Sequence, residues 1–311
     1  MVLAATLVAA IAGALTVSAT AQAARLPTAS TGEAREVTYA AAVLTGSVDP
    51  RGSSTSYYFQ YGPTRAYGGQ STIASAGAGS GRVTVRVPIS GLQPLTRYHY
   101  RLVAVNEAGA TLGSDRTLLT TKVPLSLAIL SSPNPVLYGA TATVQGTLSG
   151  TENANRTVVL QGDGFPFTAG FADIGNPELT TATGSFAFPV LGLTTTTEFR
   201  VLTTTNPPVV SPVALENVAV QVASHVGRAR HPHHARIYGT VTPAENGMQV
   251  GVLRITHGRG VLVGGAALRP LSAGSSAFSL VVPVRPGVYR VLVRVTNGAQ
   301  ISNYGPPLLI R

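Results

Sequence analysis

Three stretches of this chain carry one short pattern in the same order, and that repetition is the strongest constraint on its fold. The openings are V-L-T-G-S-V-D-P (Val43–Pro50), V-Q-G-T-L-S-G (Val144–Gly150) and I-Y-G-T-V-T-P (Ile237–Pro243). Each is answered by an aromatic–arginine strand: Y-H-Y-R-L-V-A-V (Tyr98–Val105), E-F-R-V-L (Glu198–Leu202) and V-Y-R-V-L-V-R-V (Val288–Val295). The opening glycine and the arginine are 55 residues apart in the first copy (Gly46 to Arg101), 54 in the second (Gly146 to Arg200) and 51 in the third (Gly239 to Arg290). A fixed period means one structural unit used three times.

Within each copy the pattern is that of strands. S-T-S-Y-Y-F-Q-Y (residues 54–61) and R-V-T-V-R-V (Arg82–Val87) alternate with period two. D-P-R-G at Asp49–Gly52 and E-A-G-A at Glu107–Ala110 read as turns. With 34 glycines, 21 prolines and 11% charged residues, the composition suits short strands and turns better than helices. The expected fold class is all-β: three tandem antiparallel β-sandwiches after an N-terminal signal peptide. The boundaries are residues 1–23 for the signal, 24–32 for a short polar leader, and 33–121, 122–217 and 218–311 for the sandwiches. Short linkers between them predict an extended, semi-rigid rod.

Val2 to Val17 is apolar, and A-Q-A at Ala21–Ala23 is a small-x-small sequence of the kind a signal peptidase accepts. Cleavage after Ala23 makes the mature protein secreted or surface-located, with no transmembrane span. No basic residue precedes the apolar run, so either the Met1 amine serves alone or the true start lies upstream. An uncleaved membrane anchor is the competing reading, for which the run is short. The chain has no cysteine, so each sandwich is held by burial alone.

The first repeat resembles a fibronectin type III-like module of secreted actinobacterial proteins. The resemblance rests on A-V-L-T-G-S-V-D-P, Y-Y-F-Q-Y-G-P-T-R-A-Y-G (Tyr57–Gly68) and G-L-Q-P-L-T-R-Y-H-Y-R-L-V-A-V-N (Gly91–Asn106). It implies that Leu92 packs inward and that the Tyr98 hydroxyl turns back to bond nearby backbone. The tryptophan common on the second strand of animal modules is missing, and so is Arg-Gly-Asp. Integrin-type adhesion is therefore not implied. The second and third repeats are similar to bacterial immunoglobulin-like sandwiches, through the shared G-T-[LV], [AS]-F-[AS]-[FL] and [FY]-R-V elements.

Charge separates the copies. Residues 24–121 carry net +4 and residues 122–217 net −3, while residues 218–311 hold ten arginines against Glu245 alone, net +9. A face so basic suits anionic wall polymers, acidic polysaccharide or lipid headgroups, with nucleic acid the least expected partner outside the cell. Arginine supplied by a GC-rich genome and scattered over strand faces is the alternative. Arg228, Arg230 and Arg236 are the candidate anion-binding residues of this region. Tyr58 and Tyr67, in the richest aromatic stretch, are the candidate platform for a sugar ring.

His231, His233 and His234 are the only candidate metal ligands. Closely spaced histidines without carboxylate support read better as a solvated basic loop, so no metal is assigned. No catalytic residue or cofactor site is assigned either. The third repeat has histidines but no aspartate, the second has no histidine, and no phosphate-cradling glycine motif opens a helix. The expectation is a non-enzymatic envelope adhesion or spacer protein, whose partners are wall polymer, polysaccharide or another envelope protein. The rival readings are a carbohydrate- or anion-binding protein and, more remotely, a hydrolase without a recognisable motif.

Overall fold

The structure is a computed structural model and describes residues 23–311. The signal sequence expected at residues 1–23 lies, but for Ala23, outside the described residues. The chain divides into two compact units, one ending at Val123 and the other spanning Pro124–Arg311. The described residues form strands, turns and loops, with no α-helix among them.

The first unit is a β-sandwich of β1 (Thr28–Thr31), β2 (Ala41–Asp49), β3 (Thr55–Gly62), β4 (Gly69–Gln70), β5 (Ala74–Gly77), β6 (Val83–Ser90), β7 (Arg97–Asn106), β8 (Gly109–Leu112) and β9 (Arg116–Leu119). One sheet runs β1-β2-β6; the other runs β4-β3-β7-β8, with β5 also on β3 and β9 also on β7. Alternation decides what is buried. On β6 Val85, Val87 and Ile89 enter the core while Thr84, Arg86 and Pro88 face out. Phe59, Tyr100 and Leu102 meet them from the second sheet.

The segment read from sequence as a leader is part of this sandwich. Thr28–Thr31 pairs antiparallel with β2 from Thr28↔Asp49 to Thr31↔Gly46. Thr31 is buried and accepts a hydrogen bond from the Leu102 N–H at 3.1 Å, tying the edge strand to the opposite sheet. Where residue 33 was expected to open the domain, the structure opens it at Thr28.

The second unit holds two sandwiches. The first of them comprises β10 (Ser126–Ser132), β11 (Val136–Leu137), β12 (Ala140–Ser149), β13 (Thr157–Gly164), β14 (Ala172–Asp173), β15 (Glu178–Leu179), β16 (Ser185–Leu193), β17 (Thr197–Thr203) and β18 (Ala214–Glu216). Its sheets are β10-β12-β16 and β14-β13-β17-β18, with β15 on β13. A short β19 (Val218–Ala219) pairs in parallel with β11.

The other comprises β20 (Gln221–Arg228), β21 (His234–Thr242), β22 (Gln249–Thr256), β23 (Arg259–Ala267), β24 (Arg269–Ser272), β25 (Ser275–Pro283), β26 (Gly287–Arg294), β27 (Asn303–Tyr304) and β28 (Leu308–Ile310). Its sheets are β20-β21-β25-β24 and β23-β22-β26-β27, with β28 on β26. Here β24 widens the first sheet to four strands. Each sandwich has its own core, centred on Phe186, Phe188 and Phe199 in one and on Ile237, Phe278 and Tyr289 in the other.

The repeated glycine and arginine both serve the fold. A Cβ on Gly46 would lie 2.7 Å from the Ser30 carbonyl oxygen. On Gly146 it would lie 2.2 Å from the Ala128 oxygen and 2.6 Å from Phe186 Cζ, and on Gly239 1.8 Å from the Ala223 oxygen and 2.8 Å from Phe278 Cζ. Each glycine lets the edge strand close over its neighbour. Each arginine lies over an aromatic ring: Arg101 is 4.6 Å from the Tyr67 centroid, Arg200 4.1 Å from that of Phe171, and Arg290 4.8 Å from that of Tyr304. Arg101 and Arg200 also donate from Nε to the glutamine opposite, Gln60 at 2.8 Å and Gln161 at 2.9 Å. These arginines are shields over the outer face of a sheet.

Within the second unit the chain passes between cores without a free linker. Val218 belongs to one core and Val220 to the next, with Ala219 buried between them. Ala219 accepts from the Tyr138 N–H at 2.8 Å, and Val218 accepts from the Ile301 N–H at 2.7 Å. The loop after β26 adds further bonds: Thr196 N–H donates to the Ala299 oxygen at 2.7 Å, and Gln300 Nε2 donates to the Thr194 oxygen at 2.8 Å.

Candidate functional site

The sequence candidates end up in different places. Tyr67 does not offer a ligand surface: it is 8% exposed, lies beneath Arg101, and donates its hydroxyl to Asp115 at 3.0 Å. Asp115 also meets His99 Nδ1 at 2.9 Å and Arg65 Nε at 3.2 Å. Burial alone would raise the Asp115 pKa, but the hydrogen bonds from His99 and Tyr67, with the nearby positive charge, hold it below the usual carboxylate value. Burial and the neighbouring carboxylate push the Tyr67 hydroxyl up. This cluster fixes the loop carrying Tyr67. Tyr58 is half-buried beside Val103, which has the exposed Leu112 on its other flank. It contributes one ring to that face.

Among the described residues no three histidine, cysteine or acidic side chains come together as metal ligands. The His231 and His234 rings lie 6.0 Å apart, edge to face, and His234 Nδ1 is engaged with the Pro232 oxygen at 2.9 Å. His233 and His234 line a cleft with Arg254 and Arg285, whose charge disfavours a metal cation there. His225 sits on β20, opposite Tyr238.

That pairing belongs to a groove on the outer face of the β20-β21-β25-β24 sheet, about 460 Å³ in volume. Alternation along β21 buries Ala235, Ile237, Gly239 and Val241 and turns Arg236, Tyr238 and Thr240 outward. On β25 Ala277, Ser279 and Val281 face outward, Val281 opposite Arg236. Register then sets the rows: His225, Tyr238 and Ser279 lie abreast, and Ala223, Thr240, Ala277 and Arg269 form the next row. Short side chains at Thr240, Ala277 and Ser279 leave the floor low. His225 and Tyr238 stand on one side, Arg269 and Leu271 on the other. The His225 and Tyr238 ring centroids are 5.6 Å apart. Arg236 reaches over Tyr238 at 5.2 Å and donates from Nε to Ser279 Oγ at 2.9 Å.

The electrostatics of this sandwich are one-sided. Its single acid, Glu245, is buried, and both carboxylate oxygens accept from Asn297 Nδ2, at 3.0 and 3.2 Å. Burial raises the Glu245 pKa above the ordinary value. Among the described residues no carboxylate pairs with any of the ten arginines of residues 218–311. Arg228 and Arg230 are exposed at the end of β20 and in the loop that follows, away from the residues that line the groove. Arg236 is thus the one sequence candidate the groove uses. His225, Tyr238 and Arg269 were missed. The signal available for Tyr238 was the outward phase of R-I-Y on a strand whose Ile237 faces the core.

No family model matches the chain, and no curated protein matches it by sequence. Among solved structures, the chicken contactin CNTN1 FN1-FN3 domains align over 92% of this chain and 97% of that one, at 13% identity and a TM-score of 0.33. The sensor domain of the anti-sigma factor RsgI4 of Pseudobacteroides cellulosolvens aligns over 30% of this chain and 89% of its own, at 19% identity and a TM-score of 0.22. The class that the strand order defines is a tandem of antiparallel β-sandwiches.

Proposed function

We propose that this chain is a non-enzymatic, extracytoplasmic protein that works as a spacer and adhesion module of the cell envelope. The observation that carries this reading is the joint between the second and third sandwiches. Val218 and Val220 anchor in successive cores, and backbone hydrogen bonds from Thr196 and Ile301 close the joint on the side. A joint held this way resists bending, which suits a protein that holds a binding face at a set distance from its attachment. The conserved-in-copy glycines and arginines support the non-catalytic part of the reading, since both are spent on sheet packing.

The chain contains no cysteine, so a spin-label pair can be introduced without background. Glu178→Cys and Ser272→Cys place exposed labels on the two sandwiches of the second unit. A narrow, single-peaked distance distribution in the full chain is expected; a broad one spanning many ångströms overturns the spacer role. Fractionation of the source cell tests location: the protein is expected in the envelope or medium, and cytosolic retention overturns it.

A further inference from the structure

We infer that the groove on the outer face of the β20-β21-β25-β24 sheet binds an anionic polysaccharide, with Arg236 and Arg269 holding a sugar carboxylate and Tyr238 carrying the ring. This deepens the adhesive half of the proposed function by naming its ligand class.

The internal repeat acts as a control. Counting from the shared glycine, Arg236 and Tyr238 stand where the first copy has Val43 and Thr45 and the second has Thr143 and Gln145. Those copies close the same two strands, β2 with β6 and β12 with β16, with neither an aromatic nor a cation at these two positions, although Arg86 faces out opposite Thr45 in the first copy. The fold therefore does not require Arg236 or Tyr238, and the third copy adds them to a face that is already stable.

The geometry suits a chain of sugar rings. Outward residues Arg236, Tyr238 and Thr240 follow one strand, so the strip from Arg236 to Thr240 is about 14 Å long at the usual rise per residue. Its floor is small and its walls combine an aromatic ring, a histidine, two arginines and Leu271. Pockets of this composition take ligands that are part apolar and part charged. A pyranose bearing a carboxylate has both characters: its C–H groups pack against Leu271 and the part of the Tyr238 ring that Arg236 and His225 leave exposed, and its carboxylate accepts two parallel hydrogen bonds from a guanidinium. The anion is called for by charge balance, because the one acid of this sandwich is buried and engaged by Asn297. A bare phosphate chain would satisfy the arginines and leave Tyr238 without purpose.

The test uses the full chain in affinity electrophoresis against polygalacturonate, dextran sulfate, polyphosphate and neutral dextran. Polygalacturonate is expected to retard it and neutral dextran to leave it unretarded. Combined Arg236→Gln and Arg269→Gln is expected to weaken polygalacturonate binding at least about tenfold, the loss of charge-assisted bidentate contacts. Arg259→Gln with Arg311→Gln removes the same charge outside the groove and is expected to change it less than about twofold, as screened distant charges do. Tyr238→Ser is expected to weaken the uronate polymer and leave polyphosphate unchanged. Equal loss from both arginine pairs overturns the site in favour of a diffuse basic field. Tighter binding of polyphosphate than of either polysaccharide, or no retention of polygalacturonate at low salt, overturns the ligand class. Stronger binding of dextran sulfate, still lost with Tyr238→Ser, overturns the carboxylate in favour of a sulfate. None of these results bears on the spin-label distances or the cell fraction, so the two readings fail separately.

Discussion

The shared glycine makes the sharpest quantitative claim. Gly239→Ala places a methyl 1.8 Å from the Ala223 oxygen and 2.8 Å from Phe278 Cζ. The first neighbour is backbone on the edge strand, and the second is a buried ring in the core, so neither gives way by a side-chain rotation. Relief requires β20 to move off β21, along a ladder that runs from Gln221↔Thr242 to Arg228↔Ala235. Overpacking costs typically 1–3 kcal/mol, and a backbone clash belongs at the upper end, about 3 kcal/mol. Gly46→Ala is milder: its nearest contacts are the Ser30 oxygen at 2.7 Å and the far end of the Leu102 side chain at 2.8 Å, and about 1 kcal/mol is expected. Because the chain has three cores, and two-state unfolding is a property of small single domains, the assay is native-state hydrogen exchange resolved by peptide. At about 1.4 kcal/mol per factor of ten, exchange over β21 speeds up roughly a hundredfold in Gly239→Ala, while exchange over β2 in Gly46→Ala speeds up about fivefold. Gly274→Ala, with nothing within 4 Å, stays within about 0.5 kcal/mol. If Gly239→Ala exchanges within about threefold of the unaltered protein, or if Gly46→Ala proves the worse of the two, the close approach is not what the repeat preserves.

Two further outcomes follow from buried polar groups. Tyr98 accepts a hydrogen bond from the Gln93 N–H at 2.9 Å; Tyr98→Phe is expected to cost about 1 kcal/mol, seen as faster exchange at the Gln93 amide, and unchanged exchange there would refute it. Glu216 is fully buried on β18, with Oε1 accepting from Val136 N–H at 3.0 Å and Oε2 left without a well-formed partner. Burial pushes its pKa up, against the opposing pull of the Ser131 hydroxyl and the Val136 N–H, although Ser131 Oγ too lacks a well-formed hydrogen bond. The native state thus holds the proton more tightly than the unfolded chain. Its stabilising effect is complete below about pH 4.3 and is lost as pH rises through the raised native value. Glu216→Gln should then stabilise the middle sandwich at neutral pH by about 1–3 kcal/mol, with the gain shrinking toward pH 4. Urea titrations read by exchange in β17 check this, and a gain independent of pH would refute it.

Much of the architecture was legible because strand alternation and a repeated glycine are local signals. The tyrosine corner at Tyr98 was legible too, and Tyr289 repeats it, its hydroxyl accepting from Arg285 N–H at 2.9 Å. Thr28–Thr31 was not legible, since T-A-S-T has no apolar period and is defined by its partner β2. The hairpin of β22 and β23 was missed although its turn is marked: His257 and Gly258 both have positive φ, 50° and 75°, as a two-residue hairpin turn demands. The Asp115 cluster joins residues 16 and 48 positions away, at His99 and Tyr67. No spacing rule reaches that far. The groove draws on five strands, so its residues come together only once register is known.

The joint at Val218–Val220 bears on how such a chain is inherited. A recombination boundary at residue 217, where the sequence reads as a seam, would carry Val218 away from the core it fills and strip β11 of its parallel partner. A boundary after residue 220 would take from the last sandwich a valine its core requires. Neither cut leaves two intact modules. The middle and last sandwiches are therefore expected to travel through genomes as a fixed pair, duplicated or lost together, with the basic face always delivered on the same acidic stalk.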